Sequence, residues 1–196
     1  IEAERNALAE TNTDYRNLLN EYRDGMLLFE VSDRKVWSKA KKDREGLENF
    51  FKANRDRYSW DKPRFKSFIV FATSDSIAQA AQAFLAENPQ APDNVATALR
   101  QKFGSKEIKV EKVIASKGEN AITDYLGFGG EKPEATGKWA YYFPYLNKVL
   151  EAPEEAADVR GAVTGDYQNY LEQQWIGELK KLYPAKINKK VLKQAK

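Results

Sequence analysis

The chain of 196 residues contains no histidine, no cysteine and a single methionine. Without histidine there is no side chain whose ordinary pKa lies near neutrality, so the usual proton shuttle is excluded. Without cysteine there is no thiolate nucleophile and no disulfide framework. With both types missing, most transition-metal ligand sets are excluded as well, and the reading is of no metal and no cofactor. Any bond-making would fall to carboxylates, Lys, Tyr, Ser, Thr or backbone groups. Long apolar runs are missing too. Phe68-Ile69-Val70-Phe71-Ala72 is far shorter than the roughly 20 residues that cross a bilayer as a helix. No signal peptide is visible, and the chain opens at Ile1 rather than Met, which reads as a mature or truncated piece of a longer product.

What is present points to a globular chain. Hydrophobic residues make 42% and charged residues 31%, a balance that suits one or two small domains with a real core. The formal charge of +3 comes from 32 basic and 29 acidic residues and demands neither nucleic acid nor an anionic membrane. Aromatic residues reach 12%, which is rich and serves either a core or a recognition surface.

Three stretches differ in pattern. From about Glu2 to Tyr58 the chain reads as helical. Tyr15, Leu18, Leu19, Tyr22, Met26 and Phe29 recur at three- and four-residue steps, an amphipathic stripe that should be buried, with Thr13 as N-cap. Ser32-Asp33 is expected to cap a short helix carrying Val36, Trp37 and Ala40, and Asp43 a third helix carrying Leu47, Phe50, Phe51 and Tyr58 on one face. From about Pro63 to Glu151 the pattern is mixed. A strand is expected at Arg64–Phe71, helices at Ser76–Glu87 and Asp93–Phe103, a strand near Ile108–Ile114, a turn at Gly127–Pro133 and a strand region at Trp139–Leu150 interrupted by Pro144. An acidic connection from Pro153 to Gly165 leads into a long helix, about Asp166 to Tyr183, striped by Tyr167, Tyr170, Leu171, Trp175, Leu179 and Leu182. Residues 185–188 suit a short final strand. The apolar stripe of the last helix matches the first helices better than the sheet, so the two ends are expected to form one helical unit with the middle inserted.

Three motifs have bland readings. Gly127-Phe128-Gly129-Gly130-Glu131-Lys132 and the later Gly137-Lys138 fail the phosphate-loop spacing, because Lys132 stands at the early Gly position and Trp139 follows Lys138. Glu154, Glu155 and Asp158 lack the pattern of a calcium loop and read as solvated linker charge. The basic first helices, from Arg34 to Arg57, are interleaved with Asp43, Glu45, Glu48 and Asp56, which reads as a salt-bridged solvated face. The aromatic run is different. Alternation puts Trp139, Tyr141 and Phe143 on one face and Tyr142 on the other, leaving one face for core and the other either for more core or for peptide recognition.

The segment Asn20-Glu21-Tyr22-Arg23-Asp24-Gly25-Met26-Leu27-Leu28-Phe29-Glu30, then Leu47–Tyr58 and Pro63-Arg64-Phe65-Lys66, resembles envelope chaperones of the SurA/parvulin class, especially Bacteroides-type forms. So do Asp158-Val159-Arg160-Gly161, Asp166–Glu172 and Trp175-Ile176-Gly177-Glu178-Leu179 near the end; between about Thr73 and Trp139 the likeness is weak. The resemblance implies an α+β protein: a helical SurA-like unit from residues 1–60 plus 157–196, and an inserted small antiparallel-sheet parvulin-like domain over 61–156. It implies a location in the periplasm or cell envelope. Parvulins carry a His in the first strand, where this chain has Phe68, and a second His near the last strand, which has no counterpart. The resemblance therefore brings no catalytic residue. It leaves an apolar peptide groove with Phe68, Tyr125, Phe128, Trp139 and Tyr142 as candidate lining.

The leading expectation is a chaperone-like module that holds unfolded or extended outer-membrane protein segments without isomerase catalysis. The alternatives are an active peptidyl-prolyl isomerase (amide rotation needs no nucleophile) and a structural dock for upstream domains of the same polypeptide. Neither nucleic acid nor a transmembrane segment is expected.

Overall fold

In the computed structural model of the chain, which describes residues 8, 10–134 and 137–189, the first long helix is α1 (Thr13–Ser32). Its cap is Asn12 rather than Thr13: Asn12 is extended (φ −110°) and its side chain accepts from Tyr15 N at 3.0 Å. Ser32 caps nothing. It is itself helical (φ −62°, ψ −42°), and the backbone runs through a π-helical segment, Asp33–Trp37, into α2 (Ser38–Lys42). No Pro or Gly interrupts this run, so the helix continues, and the π turn shifts the register of its faces. Val36 and Ala40 come out fully buried, while Trp37 meets Phe29 edge-on at 5.2 Å.

Asp43 accepts from Gly46 N at 2.7 Å and starts α3 (Arg44–Ala53), which buries Leu47 and Phe51; it ends at Asn54, so Tyr58 is buried beyond the helix and not on its face. The chain divides into two compact units, and these helices belong to the one made of Ile1–Arg55 and Glu155–Lys196. Its last helix, α7 (Arg160–Leu182), starts six residues earlier than the glycines suggest. A 3-10 turn at Ala156–Val159 feeds it: Glu155 and Asp158 form a capping box, and Glu48 accepts from Ala156 N at 2.9 Å. This organised entry outweighs Gly161 and Gly165, each worth about 1 kcal/mol against a helix interior. Asp158 is consequently buried, not solvated linker charge. Val163, Tyr167 and Leu171 are the buried face of α7, and Phe50 packs on Tyr167 and Tyr170 at 5.5 and 5.4 Å. Residues 185–188 form no strand, and Ile187 is exposed. Glu30–Arg34 is an exposed pair and Glu48–Lys52 a pair with Glu48 half-buried, each one helical turn apart, as the interleaved charges imply.

The second unit, Asp56–Glu154, holds β1 (Arg64–Ala72), α4 (Asp75–Glu87), α5 (Val95–Phe103), β2 (Ile108–Ser116), α6 (Ala121–Phe128) and β3 (Tyr141–Leu150). The sheet is antiparallel throughout, in the order β2-β1-β3. With the helices this makes an α+β architecture. Ser74 caps α4, and Gly104, at φ +86°, ends α5. One face of the sheet packs under α4 and α5: Val70, Ala72, Ile108 and Phe143 join Ala81, Leu85, Val95 and Leu99 in a buried cluster.

β1 and β2 pair without a break from Arg64↔Ser116 to Ala72↔Ile108. Thr73 N donates to Glu107 O at 3.2 Å just beyond the strands, which fixes the alternation. Phe71, Ile69 and Ser67 turn their backbone groups toward β2, so Ala72, Val70 and Phe68 turn theirs toward β3. Ile69 is the partner of Pro144, and the missing N–H of Pro144 therefore faces away from the sheet. The strand runs through Pro144 instead of stopping there. Its irregularity comes later: one extra residue lies opposite Lys66–Phe68, with Leu146 at φ +53°. The buried Ser67 hydroxyl lies 3.3 Å from Tyr145 O and donates across this bulge.

One tie in the helical unit joins the start of α3 to α7. Tyr167 Oη donates to Asp43 Oδ2 at 2.9 Å, and Gly46 lies beneath, where a Cβ would strike both side chains. The bonds from Gly46 and Tyr167 hold the Asp43 carboxyl below its ordinary 3.8. Burial, together with the Asp43 bond, pushes Tyr167 up to about 12. Tyr167→Phe should lower unfolding stability by about 1.5–3 kcal/mol, the worth of a hydrogen bond to a charged group, read from urea denaturation. The contribution should hold between these ranges. It should fade as pH falls through 3.8, where the unfolded carboxylate protonates first, and as pH rises from 10 towards about 12. A stability difference that does not shrink at either extreme would contradict this.

Candidate functional site

The second face of the sheet carries the aromatic side chains. Phe65 and Phe71 of β1 and Tyr142 of β3 lie on it, and α6 covers part of it. The sequence pattern suggests only a turn here, yet Asn120 accepts from Ile122 N and Thr123 N at 2.8 and 3.3 Å and starts a helix. Gly129, left-handed at φ +69°, ends it, with Gly130 N donating to Asp124 O at 2.9 Å. Gly127 is inside α6 and lies directly over the Phe65 ring, where a Cβ would overlap it. That contact is why a glycine occupies a helical position.

Of the five expected groove residues, three share this face. Tyr125 meets Tyr142 edge-on at 6.5 Å, Phe128 meets Phe65 at 6.5 Å, and Tyr142 meets Phe71 at 6.1 Å. Phe68 does not join them. It is half-buried on the opposite face, against the cluster under α4 and α5. Strand alternation separates it from Phe71 and Tyr142 however the sheet twists. Trp139 precedes β3 and is half-buried, with Lys138 Nζ 4.9 Å from its ring centroid. Phe143 and Tyr142 do point to opposite faces, and Tyr141 is exposed.

Among the described residues the Tyr142 hydroxyl is buried with no hydrogen-bond partner. Burial, and after it the nearby Tyr125, raises its pKa above 10. A phenol kept neutral in this way remains a hydrogen-bond donor and does not act as a base near neutral pH. Beside it, Ala78, Gln82, Lys132, Tyr141 and Phe143 line a depression of about 140 Å³. Ligand pockets for small molecules and cofactors run to about 300–1,000 Å³, so this one takes a single side chain at most. No three His, Cys, Asp or Glu side chains among the described residues gather as a metal would require.

Protein-family models, curated proteins and solved structures all give no match to the chain.

The larger apolar surface lies in the helical unit. None of the residues of α1 is buried. Leu18, Tyr22, Leu28 and Phe29 are each more than 60% exposed, and Tyr22, Gly25, Met26 and Phe29 line an open apolar trough of about 570 Å³. The stripe reads as core in the sequence because amphipathic helices usually bury it. The signal to the contrary is Leu27, Leu28 and Val31, apolar residues outside the stripe. Among the described residues no helix is long and apolar enough to cross a membrane.

Removing the Tyr142 hydroxyl leaves no bonded partner behind. Tyr142→Phe should therefore leave stability unchanged or raise it by up to about 1 kcal/mol, whereas Asn120→Ala should cost about 1 kcal/mol by uncapping α6. Chemical denaturation of both variants checks this. A loss in Tyr142→Phe as large as in Asn120→Ala would mean that the hydroxyl is bonded.

Proposed function

We propose that the protein binds unfolded or extended segments of envelope proteins, as a SurA-like chaperone module whose parvulin-like sheet domain works without parvulin catalysis. The exposed apolar face of α1 carries this reading. Monomeric proteins seldom leave so much contiguous apolar surface uncovered unless something binds there. Unfolded chains offer Leu, Val and aromatic side chains in no fixed spacing. Leu18, Met26 and Leu27 are flexible enough to adapt to them, and Tyr22 and Phe29 add contact area at little entropic cost. Arg16, Glu21, Arg23 and Glu30 on the same helix keep the empty surface hydrated.

The residues that resemble the SurA/parvulin class include α1 itself, which supports the family and, through it, a periplasmic or envelope location. The lack of histidine and cysteine supports binding without catalysis. So does the placement of Phe68, which does not share a face with Tyr125, Phe128 and Tyr142. One observation favours prolyl isomerisation instead: the unbonded Tyr142 hydroxyl beside Tyr125 and Phe71, an apolar wall with one donor.

At twofold molar excess the protein should suppress light scattering from an outer-membrane protein diluted out of urea. Tyr22→Glu combined with Met26→Glu should lose that effect while keeping the helical circular-dichroism signal. No suppression by the unaltered chain would remove the reading. Exchange spectroscopy on a short Ala-Pro peptide should show cis–trans exchange no faster than in buffer; acceleration that Tyr142→Phe abolishes would establish the isomerase instead.

A further inference from the structure

Gly25 stands in the middle of α1, where a glycine weakens a helix. Gly46 and Gly127 each make room for a neighbouring side chain, but among the described residues nothing lies within 4 Å of the Cβ that Gly25 lacks. Its surroundings have the form of a helix-packing hole. Tyr22, Gly25, Met26 and Phe29 occupy positions i, i+3, i+4 and i+7, the four corners that receive one side chain of a facing helix, and they line the apolar trough. Tyr15, Tyr22 and Phe29 repeat at seven residues, the spacing that keeps one seam on a partner helix.

We propose that two copies of the chain pair through α1, with the helices parallel and in register along this stripe. Charge selects both the partner and the direction. At 3.6 residues per turn, Asp14 and Glu21 fall on one flank of the stripe, and Arg16 and Arg23 on the other. All four are exposed. Asp14, Arg16 and Glu21 are in no ion pair among the described residues. Arg23 lies 3.2 Å from the adjacent Asp24, and its five donors leave others for a second carboxylate. Glu30, on the basic flank, is already bonded to Arg34 at 2.6 Å. In a parallel pair opposite flanks meet, which sets Asp14 beside Arg16 and Glu21 beside Arg23 of the other copy, each about 3 Å apart in rise. In an antiparallel pair each flank meets its own kind. Aromatic side chains lean toward the N-terminus of their helix, so each Phe29 ring is carried toward the level of Met26 and Gly25, where the glycine leaves space. α1 is about 30 Å long, which suits a weak, concentration-dependent pair rather than an obligate one. The pairing uses the face that the chaperone reading gives to clients but does not rest on that reading; a weak pair opens when a client competes for the face.

Sedimentation velocity of the full chain between about 1 and 100 μM should show a monomer giving way to a dimer. Glu21→Arg and Arg23→Glu should each weaken association about tenfold, because each sets two like-charged pairs across the dimer, and the two together should restore it. Both changes are at exposed positions, and an unchanged helical circular-dichroism signal shows that the chain still folds. The chain has no cysteine of its own, so Tyr15→Cys reports direction. Parallel pairing brings the two thiols to the roughly 4.4–6.8 Å Cα separation of a disulfide. Antiparallel pairing about the trough holds them about 20 Å or more apart. An interchain disulfide formed in air, and reduced in yield by Glu21→Arg, is expected. A monomer throughout, a dimer indifferent to the charge reversals, or a dimer without the cross-link would overturn the proposal. A monomer that still suppresses aggregation would leave the chaperone reading standing, with the client as sole occupant of the face. A charge-sensitive dimer that suppresses nothing would do the reverse.

Discussion

The central strand has one set of backbone groups and two neighbours to satisfy. β1 spends its N–H and C=O alternately, Phe71, Ile69 and Ser67 on β2, and Ala72, Val70 and Phe68 on β3. Much of the sheet unit follows from this alternation. Pro144 is tolerated because its partner, Ile69, is committed to the other side. The bulge at Leu146 falls opposite Ser67, whose backbone faces β2 and whose hydroxyl takes up the Tyr145 carbonyl instead. The same parity places Val70 and Phe143 under α4 and α5, and Phe71 and Tyr142 on the side of α6.

The helical unit depends on a smaller device. Asp43 caps α3 and also receives the Tyr167 hydroxyl, so a single carboxylate starts one helix and anchors another. Gly46 makes room for it. Around this point Phe50, Tyr167 and Tyr170 pack ring against ring. α1 has no such anchor, and its apolar residues remain in solvent. The unit thus combines a fixed corner with an exposed apolar helix.

Local rules carried much of the fold into view from the residues alone. β1, α4, α5 and β2 are legible because the β-rich run at 64–71, the helical patterns at 76–87 and 93–103 and the β-branched run at 108–114 agree with the tertiary outcome. The aromatic site was legible only in part. Tyr142 and Phe143 separate by simple alternation, but α6 hides behind three glycines that look like a turn. Gly127 reads as a breaker until Phe65 is seen beneath it. Asp158 likewise reads as solvated charge until its role in the entry to α7 is seen.

Composition by itself determined that no histidine or cysteine chemistry operates here, because a residue type that is absent cannot be supplied by folding. Periodicity identified the long helices and the first two strands, since those patterns repeat over a few residues, but it missed α6 and suggested a strand at 185–188 that does not form. Tertiary structure alone decided three things: that Phe68 and Tyr142 lie on opposite faces, that the stripe of α1 stays uncovered, and that β3 runs through Pro144. Each depends on partners far apart in the chain, Thr73 with Glu107, Ile69 with Pro144, Asp43 with Tyr167. No short window of sequence contains both members of such a pair.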